Sequence, residues 1–117
     1  MFLPRMLSKA TLFAAAALLS LAAASAANAQ GATEIQLSYK DKKFTPAEIS
    51  APANTPIVIK LKNLDAKAME FESKTLKVEK VVAGSSDATI NVRAQKPGRY
   101  EFFDDFHPAT KGVVVVK

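Results

Sequence analysis

The stretch that decides the fold is Tyr100-Glu101-Phe102-Phe103-Asp104-Asp105-Phe106-His107-Pro108-Ala109-Thr110-Lys111-Gly112. Aromatic residues lead into it and four valines, Val113 to Val116, lead out. It contains the only histidine of the chain, with Asp104 and Asp105 three and two residues before it. This pattern predicts a short loop between two buried strands, holding an imidazole close to carboxylates. Binding chemistry commonly sits on loops carried by rigid strands. A polar hairpin loop with an incidental histidine would use the same residues, so the surrounding chain has to decide.

Outward from this stretch the chain alternates. Val113 to Val116 is apolar on both faces, which predicts a central or covered strand, because an open apolar edge invites aggregation. Before the stretch, Lys96-Pro97-Gly98 is a turn signal. Ala88, Ile90 and Val92 alternate with Thr89, Asn91 and Arg93, as in a half-buried strand. Lys77 to Val82 reads as a further strand, ended by Ala83-Gly84-Ser85-Ser86. In Met69-Glu70-Phe71-Glu72-Ser73, Met69 and Phe71 share one face and Glu70 and Glu72 the other. Asn63 to Ala68 reads as a loop with a turn of helix at most. Ile57, Ile59 and Leu61 share a face opposite Lys60 and Lys62. Phe44 to Ile49 reads as one segment whose Pro46 suits an edge or an irregular crossing. Glu34 to Tyr39 alternates with period two. Seven or eight short strands with regular turn signals predict an all-β sandwich or small barrel. No internal repeat is found.

The N-terminus reads as an address. Arg5 and Lys9 form a basic region, an uncharged and largely apolar run spans Ala10 to Ala24, and Ala27-Asn28-Ala29 offers a small-x-small cleavage pattern. The apolar run is short for a membrane span of about 20 residues. A cleaved signal peptide over 1–29 is expected, with a single domain over 30–117 and a periplasmic location; an uncleaved N-terminal anchor is the alternative. Removing 29 of 117 residues leaves 88, enough for one core, and the loss of Arg5 and Lys9 takes the net charge from +5 to +3. Lysines and acids are interspersed, with no basic block and interleaved aromatics, so nucleic acid is a poor partner. With no cysteine, thiolate chemistry and zinc–cysteine clusters are excluded. No Gly-x-Ser-x-Gly elbow supports a hydrolase.

His107 and Met69 are the metal-capable side chains of the mature chain beside its carboxylates. Imidazole suits copper, iron or zinc, a thioether suits copper(I), and carboxylates suit harder ions. Each residue also has a plain structural reading. Met69 can be a core gap-filler beside Phe71, His107 a half-exposed loop residue, and Asp104 and Asp105 turn acids.

The chain resembles the cupredoxins, small copper-binding β-sandwich proteins. It is more similar still to the cupredoxin-like domains that accompany bacterial iron permeases, the EfeO type and the small periplasmic cupredoxin of Ftr-type ferrous iron transport. The resemblance is carried in order by Phe44-Thr45-Pro46, Asn63, Met69-Glu70-Phe71-Glu72-Ser73, Pro97 to Phe103, His107-Pro108 and Lys111-Gly112. It implies a cupredoxin-like Greek-key β-sandwich of seven or eight strands. Against the blue-copper pattern, Met69 stands where the first histidine would be, Asp104 at the cysteine position and Thr110 near the axial methionine; His107 alone is retained. Without a thiolate no blue site forms.

The resemblance further implies that Met69, Asp104 and His107 converge at one end of the sandwich as a copper site. Asp105, Glu70 and Glu72 are nearby acids. Glu70 and Glu72 face away from Met69 and offer either a second, harder site for iron(II) or a solvated acidic face. The function so implied is binding of copper and iron in ferrous iron uptake, with support of iron(II) oxidation. Its partners would be an iron permease and companion periplasmic or membrane redox proteins. A copper or iron carrier without redox turnover, or a metal-free interaction domain, would use the same fold.

Overall fold

The computed structural model describes residues 31–117. The expected signal peptide, 1–29, lies outside the described residues. Among the described residues there is no helix. The chain runs through nine strands: β1 (Thr33–Lys40), β2 (Lys43–Thr45), β3 (Glu48–Ala51), β4 (Ile57–Asn63), β5 (Met69–Ser73), β6 (Val78–Val82), β7 (Asp87–Val92), β8 (Gly98–Asp104) and β9 (His107–Val116). They form two sheets, ordered β2-β1-β4-β7 and β3-β9-β8-β5-β6. The all-β sandwich expected from the alternation is the fold observed.

The count is nine instead of seven or eight because the Phe44 to Ile49 segment divides. β2 pairs with β1 in one sheet and β3 with β9 in the other. Pro46 lies in the crossing between them, where a residue without an N–H disturbs no ladder. Asp41 and Lys42, both at positive φ, make the tight turn that joins β1 to β2, the backbone shape that matches strand twist in a two-residue hairpin.

The period-two pattern decides which side chains enter the core. Leu37 and Tyr39 on β1, Ile57, Ile59 and Leu61 on β4, Met69 and Phe71 on β5, Ile90 and Val92 on β7, Phe102 on β8, and Val114 and Val116 on β9 are all buried. Phe44, Phe71 and Phe102 form the aromatic centre, with Phe44 edge-on to Phe102 at 4.9 Å and Phe71 stacked on Phe102 at 5.0 Å between centroids. Burying each such side chain contributes about 1.5–3 kcal/mol. Gly112 lies beneath Phe102, where a methyl group would overlap the ring.

The valine strand is central, with β9 between β3 and β8. The expected loop before it is shorter than its composition suggests. β8 continues to Asp104 and β9 begins at His107, leaving Asp105 and Phe106 as the turn. Lys111 pairs with Phe103 and His107 with Asp104, so Pro108, Ala109 and Thr110 have no partner on β8 and bulge outward. The bulge accommodates Pro108, and Thr110 ties it down by donating its hydroxyl to the Lys42 carbonyl at 3.0 Å.

Candidate metal-binding pole

Alternation along β8 puts Tyr100, Phe102 and Asp104 on the inward face, and the last of these is a carboxylate with no exposed surface. A buried charge is costly unless hydrogen bonds replace its water. Here they do. Oδ1 of Asp104 accepts from the amides of Glu70 and Phe106, each at 3.0 Å. Oδ2 accepts from the Tyr39 hydroxyl at 2.5 Å and faces Nδ1 of His107 at 3.0 Å. The donors come from β1, β5, the turn and β9, so one carboxylate ties together both sheets and the hairpin.

These contacts set the protonation of the group. Burial pushes the Asp104 carboxyl upward, but the bonds from Tyr39, the Glu70 amide, His107 and the Phe106 amide outweigh it, and the acid is held below its ordinary range. Tyr39 is shifted the other way, upward, first by burial and then by its bond to Asp104 and the charge of that group.

The His107 side chain is 44 % exposed. It borders an open cleft together with Tyr39, Asp41, Asp65 and Lys67. The opposite wall is braced from within. Buried Asn63 donates Nδ2 to the carbonyls of Lys67 and Ala83 at 2.9 and 3.2 Å, and its Oδ1 accepts from the Asp65 amide at 3.0 Å. Asp65 in turn accepts the Asp41 amide on both carboxylate oxygens, at 3.1 and 3.0 Å. A side chain at Gly84 would overlap the Ala66 carbonyl, so glycine there lets the loop pack close.

A second polar cluster lies on the outer face of β5 and β6. The strands pair antiparallel with Glu72 opposite Glu79. Glu70, Glu72 and Glu79 bring carboxylate oxygens within 4.8 Å of one another. Like charges directly opposite on a sheet are destabilising. The Glu70 carboxyl is pushed up to about 7 by a hydrogen bond shared with Glu79, then by partial burial and the charges of Glu79, Asp105 and Glu72.

The six residues singled out from the sequence fall into four environments. Asp104 and His107 are joined directly. Glu70 and Glu72 stand together on the outer face, and Asp105 is in the turn with its amide donating to the Glu70 carbonyl at 2.8 Å. Met69 is fully buried within the hydrophobic core. At the pole the half-exposed His107 ring faces Asp104 through Nδ1. The four acceptor positions of Asp104 are all in use.

Two participants were not anticipated. Tyr39 lies 65 residues from Asp104, and nothing local marks it out from other inward aromatics; its burial and its bond belong to tertiary packing. Glu79 meets Glu72 through the register of β5 against β6, which neither strand announces alone.

The two-sheet, nine-stranded arrangement defines the class as a small all-β sandwich. A family model described as the Cupredoxin-like domain matches residues 11–116, and the chain belongs to that family. It is 38 % identical over 84 residues to an uncharacterized protein of Rickettsia prowazekii (strain Madrid E), covering 71 % of this chain and 67 % of that one. Among solved structures, the fold is similar to the metal binding domain of the Cu(I) exporting P-type ATPase CopA of Streptococcus pneumoniae D39, in complex with Cu(I). The TM-score is 0.69 with 19 % identity, over 75 % of this chain and 88 % of that chain. It is also similar to amicyanin from Paracoccus versutus, with a TM-score of 0.57 and 13 % identity, over 72 % and 81 % of the two chains.

Proposed function

We propose that this protein is a periplasmic copper- and iron-binding domain of a ferrous iron uptake system, supporting iron(II) oxidation coupled to transport. The observation that carries the reading is the link between the two polar clusters. The amide of Glu70, a member of the carboxylate trio, donates to Asp104, which in turn holds His107. A borderline nitrogen donor and a set of hard oxygen donors are thus connected through one strand.

The donor chemistry fits two metals. A half-exposed imidazole suits copper, and with no cysteine in the chain any such site lacks thiolate. His107 is the anchoring residue, with Asp104 bonded to it; Met69 is the thioether of the same strand end, in the core. The carboxylates of Glu70 and Glu72, with Glu79, suit iron as substrate, and Asp105 adds negative charge beside them. Copper bound at His107 would supply a one-electron acceptor for iron(II) held at the carboxylates. The partners are an iron permease and a companion redox protein that removes the electron.

The test is calorimetric titration of the metal-free domain with copper(II), wild type against His107→Ala, followed by stopped-flow oxidation of iron(II) with and without equimolar copper. The reading expects binding that the substitution abolishes and an oxidation rate that depends on copper. Unchanged affinity in His107→Ala removes the site. Binding without a copper-dependent rate leaves the second reading, a copper or iron carrier, which is favoured by the half-exposed position of His107. A flat titration makes the domain a metal-free interaction module.

A further inference from the structure

We propose that the outer face of the β2-β1-β4-β7 sheet docks the domain on an anionic phospholipid bilayer. The inference goes beyond the metal-binding reading and does not depend on it, since neither His107 nor the carboxylate trio takes part.

Charge placement carries it. Tyr39 and Phe44 are paired and buried, so the next pair along the β1–β2 hairpin, Lys40 and Lys43, points outward. On β4, Ile57, Ile59 and Leu61 turn inward, which sends Lys60 and Lys62 outward. These lysines stand on three adjacent strands, spaced about 4.8 Å apart. Lys60 is half-buried and donates Nζ to the Thr89 hydroxyl at 3.2 Å; the other three are exposed. The ion pairs among the described residues are Arg99–Glu48, His107–Asp104 and Lys111–Glu101, so none of the four lysines is ion-paired. The acids of the face are Glu34, which accepts from Gln36 at 3.2 Å, and Asp87, opposite Lys62. Four lysines against two acids leave a surplus of two positive charges. The outer face of the other sheet is the reverse. There Glu48 and Glu101 are paired with Arg99 and Lys111, and Glu70, Glu72 and Glu79 are left over. The sandwich is thus polarised across its two layers, and a negatively charged surface would draw it in lysine face first.

The composition of the face favours lipid over protein. Protein interfaces centre on aromatic residues, Met and Arg and are poor in Lys. Among the described residues the exposed large hydrophobics are Leu64, Val81 and Phe106, in the loop after β4, on β6 and in the β8–β9 turn, and none lies on this face. Its apolar Val58 is half-buried. An ammonium is a compact hydrated point charge that needs no matched geometry, and clustered lysines are drawn to anionic headgroups by charge alone.

Residues 32–117 form a compact unit by themselves. The test therefore uses residues 30–117, so that the apolar run Ala10 to Ala24 cannot contribute. The metal-free protein is sedimented with vesicles of phosphatidylglycerol and phosphatidylcholine in equal amounts, and with phosphatidylcholine alone. Binding is expected to the anionic vesicles only. It should fade as salt shortens the screening length from about 30 Å at 0.01 M to about 3 Å at 1 M. Lys60→Gln with Lys62→Gln, and separately Lys40→Gln with Lys43→Gln, should each lower partitioning about 25-fold, or about fivefold per lysine. Lys77→Gln with Lys80→Gln removes the same charge beside the other sheet and should lower it by less than about fivefold. Equal losses in all three double variants would assign the effect to net charge and overturn the proposal. So would equal binding to neutral vesicles, or none to anionic vesicles at the lowest salt. Nitroxide-labelled headgroups should broaden the amide signals of β1 and β4 and spare β5; broadening centred on β5 or on the β8–β9 turn overturns the proposal. Self-association at low salt without vesicle binding would assign the lysines to the acidic face of a second copy and overturns it too. No metal is present in these measurements, so their failure and the failure of the metal-binding reading are separate results.

Discussion

Tyr39 on β1 donates its hydroxyl to Asp104 at the end of β8, across the two sheets, at 2.5 Å. Both residues are buried, at 2 % and 0 % exposure. This bond joins the sandwich at the pole that carries His107. Removing its hydroxyl alone, as in Tyr39→Phe, should destabilise the domain by about 1.5–3 kcal/mol, the range for a hydrogen bond to a charged group. Denaturant unfolding of the two proteins checks the figure, and an unchanged midpoint would contradict it.

Acid should weaken the fold through Asp104. Its folded-state pKa is depressed below the ordinary 3.8, so the folded state binds fewer protons there than the unfolded chain. The stability this contributes is present above about pH 4. It is lost as the pH falls from there through the folded-state value. Asp104→Asn should be less stable at neutral pH and should show a flatter decline as the pH falls below about 4, measured by thermal melting across a pH series.

Glu70 should act in the opposite sense. Its carboxyl is raised from 4.5 to about 7, so the folded state holds the proton more tightly than the unfolded chain. Stability should therefore fall as the pH rises from 4.5 toward 7 and then level off. Glu79→Gln removes the group that contributes most to the shift. Carbon-13 titration of the Glu70 carboxyl should show an inflection near 7 in the wild type and one closer to 4.5 in the variant. An iron(II) or manganese(II) ion held by the trio should lower it too, since a cation favours the charged form.

Gly112→Ala should cost about 1–3 kcal/mol, the usual range for overpacking a filled core. The added methyl group would meet the Phe102 ring and come within 2.8 Å of the Ala47 carbonyl oxygen. That carbonyl accepts the Val113 amide at 2.8 Å, so the backbone cannot retreat freely. Thermal melting checks this, and an unchanged melting temperature would show that the ring moves aside.

The period-two rows were determined by the amino-acid sequence itself, because pleating sends alternate side chains to opposite faces whatever the partners are. Ile57, Ile59 and Leu61 turn inward with their lysines outward, Met69 and Phe71 turn away from Glu70 and Glu72, and the valines of β9 occupy a central strand. The same rule puts Asp104 on the face of Phe102, although its composition suggested a loop acid. The pairing of Asp104 with His107 was half visible, being local to one hairpin.

What only the tertiary structure decided is which groups meet across the sandwich. Division of the Phe44 to Ile49 segment between two sheets follows from the crossing at Pro46, and a residue string carries no statement of sheet membership. The approach of Glu79 to Glu72 depends on the register of β5 against β6. The saturation of Asp104 by Tyr39 and the Glu70 amide depends on strands brought together by burial. Alternation is a property of one strand and can be read from it; hydrogen bonding across a core requires both layers to be in place, and packing alone supplies that.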